Sequence, residues 1–180
     1  MAGLLLCALC ASMSGCLIPQ DDQVPGELPP KRNGPIKIQD QIPRDRRITF
    51  FNGTTCSNAA FQLFAEDEDL ADLVFSLWFI GSTNETPFQP TPIQGGTATR
   101  VVNAPSSLAF KSTLANHVTG TEIITVYVAD TQFKEVVGGT IALVERPDRV
   151  LPDGSTVRDT GSFDTFTWTL DVTAPSGNCQ

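Results

Sequence analysis

Residues 64–80 read FAEDEDLADLVFSLWFI, in which four consecutive carboxylates (Glu66, Asp67, Glu68, Asp69) and a fifth at Asp72 run into a block of aliphatic and aromatic residues. From residue 73 two sets alternate, Leu73, Phe75, Leu77 and Phe79 against Val74, Ser76, Trp78 and Ile80. Successive side chains of a strand point to opposite sides of its sheet, so a strand apolar on both sides belongs inside a packed structure. β-Branched and aromatic crowding after Leu73 favours a strand here over a helix. Both sides then need cover; the domain's own loops, particularly residues 87–93 or 136–150, are expected to supply it for the second face, and a partner must if they do not.

Outward from this stretch the chain is a series of short β-rich runs punctuated by Gly, Pro, Asn and Asp. RRITFFN (46–52) sets Ile48 and Phe50 against Arg47 and Thr49, and AAFQLFA (59–65) puts Phe61, Leu63 and Ala65 on one face. TATRVVN (97–103), SSLAFKS (106–112), TEIITVYVA (121–129), TIALVE (140–145) and DTFTWTLDV (164–172) complete the set. No helix of ten or more residues is expected. Seven or eight strands in about 130 residues, joined by turn-rich loops, predict an all-β chain folded as one β-sandwich over residues 46–180. No internal repeat of solenoid or propeller period is present.

The acidic run has two readings. Asp67 and Asp69 on alternate residues, with Asp72 nearby, offer the hard oxygen ligands that calcium takes, and a cation relieves the repulsion of packed carboxylates. The spacing is not that of an EF-hand, and the other reading is a solvated acidic turn ahead of a buried strand. Apart from calcium, no cofactor is expected. Residues for catalysis are sparse: the chain has 1 histidine, His117, in a polar turn, and no Gly-x-Ser-x-Gly motif. Gly95-Gly96 and Gly138-Gly139 read as turns rather than phosphate loops. A non-enzymatic protein with no catalytic residues is expected.

The formal net charge of −8 is unevenly spread. Lys31, Arg32, Lys37, Arg44, Arg46 and Arg47 face only Asp40 and Asp45, whereas fifteen acids meet six bases from Ile48 onward. An acidic domain behind a mildly basic tether is a poor partner for nucleic acid, whose phosphates need clustered Lys or Arg. The tether itself, residues 16–45, holds six prolines within positions 17–45 and shows no sustained apolar period. It predicts an extended linker that buries no core.

The chain opens MAGLLLCALCASMSGC. This uncharged apolar run is too short to span a bilayer core of about 30 Å, and residues 1–15 read as a secretion signal. Met13-Ser14-Gly15-Cys16 resembles the lipobox of bacterial lipoproteins, although no Lys or Arg precedes the apolar run. The resemblance implies that Cys16 becomes the lipidated N-terminus, with palmitate among its acyl groups, and that the membrane is held through this anchor. Leu17 in place of Asp after the cysteine implies, by the same resemblance, an outer-membrane lipoprotein of the cell envelope, periplasmic or surface-facing. Cys7 and Cys10 would leave with the signal, and Cys56 and Cys179 remain. An even pair in an oxidising compartment predicts a Cys56–Cys179 disulfide, worth up to about 5 kcal/mol in the chain-entropy description. Zinc is disfavoured, because only His117 is available to join the two cysteines.

Two segments resemble the immunoglobulin-like domains of the PKD and cadherin-like groups. One is Ala65-Glu66-Asp67-Glu68-Asp69, leading to Trp78; the other is residues 120–130, GTEIITVYVAD. The resemblance implies an immunoglobulin-like β-sandwich of seven to eight strands behind the signal and linker. The chain departs from it at Glu122, where many repeats place an aromatic, and in the long stretch between Asp130 and the last strand. The fold hosts many unrelated functions. The resemblance implies a place and an architecture but no reaction; the expected function is a non-enzymatic binding or structural module with an envelope protein or a polysaccharide as partner, a calcium-stabilised adhesion or carbohydrate-binding module is the alternative, and a hydrolase a distant third.

Overall fold

Two-residue apolar alternation becomes strand in most of the segments named above. The computed structural model describes residues 34–52, 60–81, 86–105, 108–137, 140–150, 153–158 and 160–174. In chain order its elements are β1 (Lys37–Ile42), β2 (Arg47–Phe51), β3 (Gln62–Glu66), β4 (Phe75–Ile80), β5 (Thr99–Asn103) and α1 (Leu108–Ala115). There follow β6 (Gly120–Ala129), β7 (Phe133–Val137), β8 (Thr140–Leu143), β9 (Arg149–Val150), β10 (Thr156–Val157) and β11 (Phe163–Thr173). Cys16, Cys56 and Cys179 lie outside the described residues.

The fold is an all-β sandwich of seven strands. One sheet runs β1-β3-β5, antiparallel throughout. The other runs β2-β11-β6-β4, with β11 parallel to β2 and antiparallel to β6. The first two strands thus belong to different sheets, and the rest divide as the two sheets of an immunoglobulin-type sandwich do. The long stretch after Asp130 is filled by two small hairpins, β7 with β8 and β9 with β10.

Between the sheets the core is aromatic. Trp78 of β4 and Trp168 of β11 are fully buried and stack with centroids 6.2 Å apart and planes 12° apart. Phe61 and Phe166 meet Trp168 edge-on at 5.3 and 4.7 Å, and Phe110 does the same to Trp78 at 6.1 Å. A buried indole N–H needs an acceptor. Trp168 Nε1 donates to the Pro43 carbonyl at 3.1 Å and Trp78 Nε1 to Ser76 Oγ at 3.2 Å. Leu63, Val102, Ile124, Val126 and Leu170 fill the remaining space.

The second side of β4 is also covered within the chain. Leu77 and Phe79 are each 1% exposed although they face away from the inter-sheet core. Phe79 meets the edge of Tyr127 at 5.8 Å, and Leu77 shares a cavity wall with residues 89–92 and with Gln132 and Phe133.

Two expectations need correction. Residues 16–45 do not all form linker, and the sandwich starts before residue 46: Lys37–Ile42 is the edge strand β1. KIQDQI shows no clear alternation because an edge strand needs few apolar contacts; buried Ile36 and half-buried Ile38 suffice to dock it. SSLAFKS is not a strand either, since Leu108–Ala115 is a helix. Phe110 and Leu114, four residues apart, lie on one helical face and both enter the core. The seven-residue window 106–112 left Leu114 out.

Candidate functional site

The acidic run folds into the loop that carries the chain from β3 to β4, and its members meet different fates. Glu66 and Glu68 are exposed, Asp69 and Asp72 half-buried, and Asp67 has no exposed surface. The solvated turn expected for the whole run therefore holds only for part of it. Asp67 is drawn inward because it continues the inward phase of Leu63 and Ala65. Its N–H donates to the Ala98 carbonyl at 2.9 Å, extending the β3–β5 ladder by one bond.

Two arginines from distant parts of the chain face this loop. Arg100 of β5 is 2% exposed and sits in phase with buried Val102. Its Nη2 donates to the carbonyls of Asp69 and Leu70, each at 3.4 Å, and its Nη1 to Thr97 Oγ1 at 3.4 Å. Arg146, in the chain after β8, donates from Nη2 to Asp72 Oδ2 at 2.7 Å and to the main-chain carbonyl of Asp130. The same nitrogen lies 3.5 Å from Asp130 Oδ1. Asp130 is 3% exposed and held by Ser162, whose N–H donates to Oδ1 at 2.8 Å and whose hydroxyl donates to Oδ2 at 2.6 Å. Ser162 Oγ also accepts from the Ile36 N–H at 2.9 Å, tying the start of the described chain to the same group of residues.

Asp67 Oδ1 accepts from the Asp69 N–H at 2.9 Å, whereas Asp67 Oδ2 and Arg100 Nε are buried without a hydrogen-bond partner. Burial pushes the Asp67 carboxyl above the ordinary carboxylate range; the Asp69 amide opposes this, the charges of Asp72 and Asp130 add to it, and Arg100 pulls it down. Asp72 is likewise raised, first by burial, against the hydrogen bond and charge of Arg146.

The three carboxylates expected to hold calcium are thus near one another but differently engaged. Asp69 Oδ1 accepts from the Ala71 N–H at 3.1 Å, and Asp72 is paired with a guanidinium. Among the described residues no group of three or more His, Cys, Asp or Glu side chains is set to hold a metal ion. Positive charge at this end of the sandwich is supplied by arginine. Arg100 carried a sequence signal, a charged residue in the inward phase of an alternating strand; Arg146 and Ser162 carried none. His117 lies away from the loop, with Nδ1 3.0 Å from Glu122 Oε1.

A second feature lies at the free edge of β4, where a cavity of about 330 Å³ opens between that strand and residues 89–92. Val74 exchanges both main-chain bonds with Ile93, at 3.0 and 2.8 Å, and Trp78 does so with Phe88, at 3.0 and 2.8 Å. Between these rungs the sequence FQPTPI (88–93) places six residues opposite the five of positions 74–78, so the strap bows outward. Pro90 and Pro92 have no N–H to give, which suits them to the edge of a sheet. Gln132 and Phe133 close the cavity from the β7 side.

No protein-family model, curated protein or solved structure matches this chain.

Proposed function

We propose that this chain is a lipid-anchored lipoprotein of the bacterial cell envelope that presents a non-enzymatic β-sandwich as a binding or structural module. The observation that carries the reading is an order of segments: an apolar run, small residues directly before Cys16, a proline-rich tract, and then a globular acidic domain. Lipidation at Cys16 would hold the membrane, and the proline-rich tract would set the sandwich off from it. Two acyl signals on one terminus give the stable attachment that a single chain does not. Among the described residues no helix is long and apolar enough to cross a membrane. The non-enzymatic part of the reading is supported by engagement of polar groups: His117 pairs with Glu122, Asp72 with Arg146, and Asp130 is held by Ser162.

Labelling with radioactive palmitate in a bacterial host, followed by membrane fractionation, tests the anchor. The wild-type chain is expected to take up label and sediment with envelope membranes, and Cys16→Ser to lose both properties. Label retained by Cys16→Ser, or absent from the wild type, would refute the anchor.

A further inference from the structure

Among the described residues, the cavity beside β4 contains a main-chain rung without a partner. In an antiparallel ladder the N–H and C=O of one residue point to the same side, and alternate residues share that side. Val74 and Trp78 turn both groups toward the strap. Ser76, midway between them, must do the same, while Phe75, Leu77 and Phe79 bond to β6. Among the described residues no main-chain group of positions 89–92 meets Ser76, because the strap has bowed away at that point. The Ser76 N–H and C=O therefore form an adjacent donor and acceptor on the floor of the cavity. Residue 76 lies on its lining, and its side chain is turned to the inner side, where Oγ accepts from Trp78.

The rest of the lining defines what fits. The half-buried rings of Phe75 and Phe133 give flat apolar surface, Gln89 and Gln132 each give an amide donor and acceptor, and Thr91 gives a hydroxyl. Among the described residues no charged side chain lines the cavity, in a chain of formal net charge −8. Its volume falls at the small end of the range of about 300–1,000 Å³ that ligand sites occupy. An uncharged ligand is selected, since a bare ion would lose its hydration with no counter-charge in return. The ligand must also offer acceptor and donor side by side, several further polar groups and an apolar face. A long extended peptide is excluded from pairing along this edge, because the rungs on either side are already taken by Phe88 and Ile93.

We infer that this cavity binds one neutral pyranose unit of a polysaccharide. One hydroxyl of a vicinal pair accepts from the Ser76 N–H and its neighbour donates to the Ser76 C=O. The Gln89 and Gln132 amides take further hydroxyls, and the C–H face of the ring lies on Phe133 or Phe75. The inference rests on reading the sandwich as a binding module and is independent of the anchor at Cys16.

The test uses the full chain in detergent, titrated by ligand-observed NMR with the methyl pyranosides of glucose, galactose and mannose, and with N-acetylalanine amide as a peptide probe. At least one pyranoside is expected to bind. Loss of one hydrogen-bonding amide, in Gln132→Ala or Gln89→Ala, is expected to weaken binding by about tenfold. Both glutamines are exposed, so these variants keep the fold; Phe133→Ala, with its melting curve recorded alongside, is expected to weaken binding by at least as much. Failure of all three pyranosides to bind, or binding undiminished in the glutamine variants, would overturn the inference. Tighter binding of N-acetylalanine amide than of any pyranoside would overturn it too, by assigning the open rung to a peptide end. If pyranosides fail while Cys16 still directs the chain to the membrane, only the cavity assignment falls; if Cys16 carries no lipid while pyranosides bind, only the anchor does.

Discussion

Asp67 shows how much one residue's surroundings change its chemistry. By position it belongs to a run of acids, yet its side chain follows Leu63 and Ala65 inward and ends with one oxygen bonded and the other unpaired. An unpaired buried oxygen is costly when charged, and the cost falls when the group takes a proton. Asp67 and Asp72 both have raised folded values, so the folded chain binds these protons more tightly than the unfolded chain. Their contribution to stability is therefore full below the unfolded carboxylate value and is lost as pH rises through the raised folded values. The melting temperature is expected to rise as pH is lowered from 7 toward the carboxylate range. Asp67→Asn keeps the oxygen that accepts from Asp69 and removes the charge. This variant is expected to melt at or above the wild type at pH 7, by about 2–4 °C for each kcal/mol relieved, and to show a flatter dependence between pH 7 and 5. Thermal melts at the two pH values decide it, and an unchanged slope in Asp67→Asn would rule out the role given to this carboxyl.

Between elements, the decisive contacts join residues far apart in the chain. β1 docks on its sheet through β3, but it is also pinned across to the other sheet: the Ile36 N–H donates to Ser162 Oγ and the Ile38 N–H to Asp164 Oδ2 at 2.8 Å. Ser162 is the hinge of this arrangement, since the same hydroxyl donates to buried Asp130, which Arg146 also faces. Removing the hydroxyl takes one hydrogen bond each from the Ile36 amide and the Asp130 carboxylate, a loss of about 1–3 kcal/mol when such groups are buried. Ser162→Ala is expected to lower stability by that amount, read by denaturant titration. In hydrogen exchange, the amides of Ile36 and Ile38 should lose protection before those of β6 and β11 do. Uniform loss of protection across both sheets would show that β1 is not separately held by this contact. The ion pair of Arg47 and Asp171, bidentate at 2.7 and 2.8 Å on the parallel pair β2–β11, is by contrast solvent-exposed and adds little to stability.

At the scale of the whole molecule, a Cys56–Cys179 disulfide is the long-range tie expected from the sequence. Intact mass is expected to rise by about two hydrogens on reduction, and Cys179→Ser to cost up to about 5 kcal/mol in denaturant stability; two free thiols in freshly purified protein would remove this tie. Much of the sandwich itself could be read from local pattern. The double apolar face of residues 73–80 marks β4 as a packed strand, and the alternation around Trp168 marks β11, because strand direction and side-chain phase depend only on neighbours two residues away. The same phase rule, applied to Arg100 beside Val102, exposes one member of the charged group. The rest was illegible for a physical reason. β1 is an edge strand with little apolar periodicity, α1 needs Leu114 beyond the run that suggested a strand, and Arg146 and Ser162 reach Asp130 only because two hairpins and a turn of sheet bring them there. By itself the sequence determined the class of fold and the inward and outward faces of its main strands, both set by short-range period and composition. Only the tertiary structure decided which acids are buried, that arginines stand opposite them, and that among the described residues β4 keeps one open rung beside a cavity lined by neutral side chains, because each depends on contacts between segments whose separation along the chain carries no local signal.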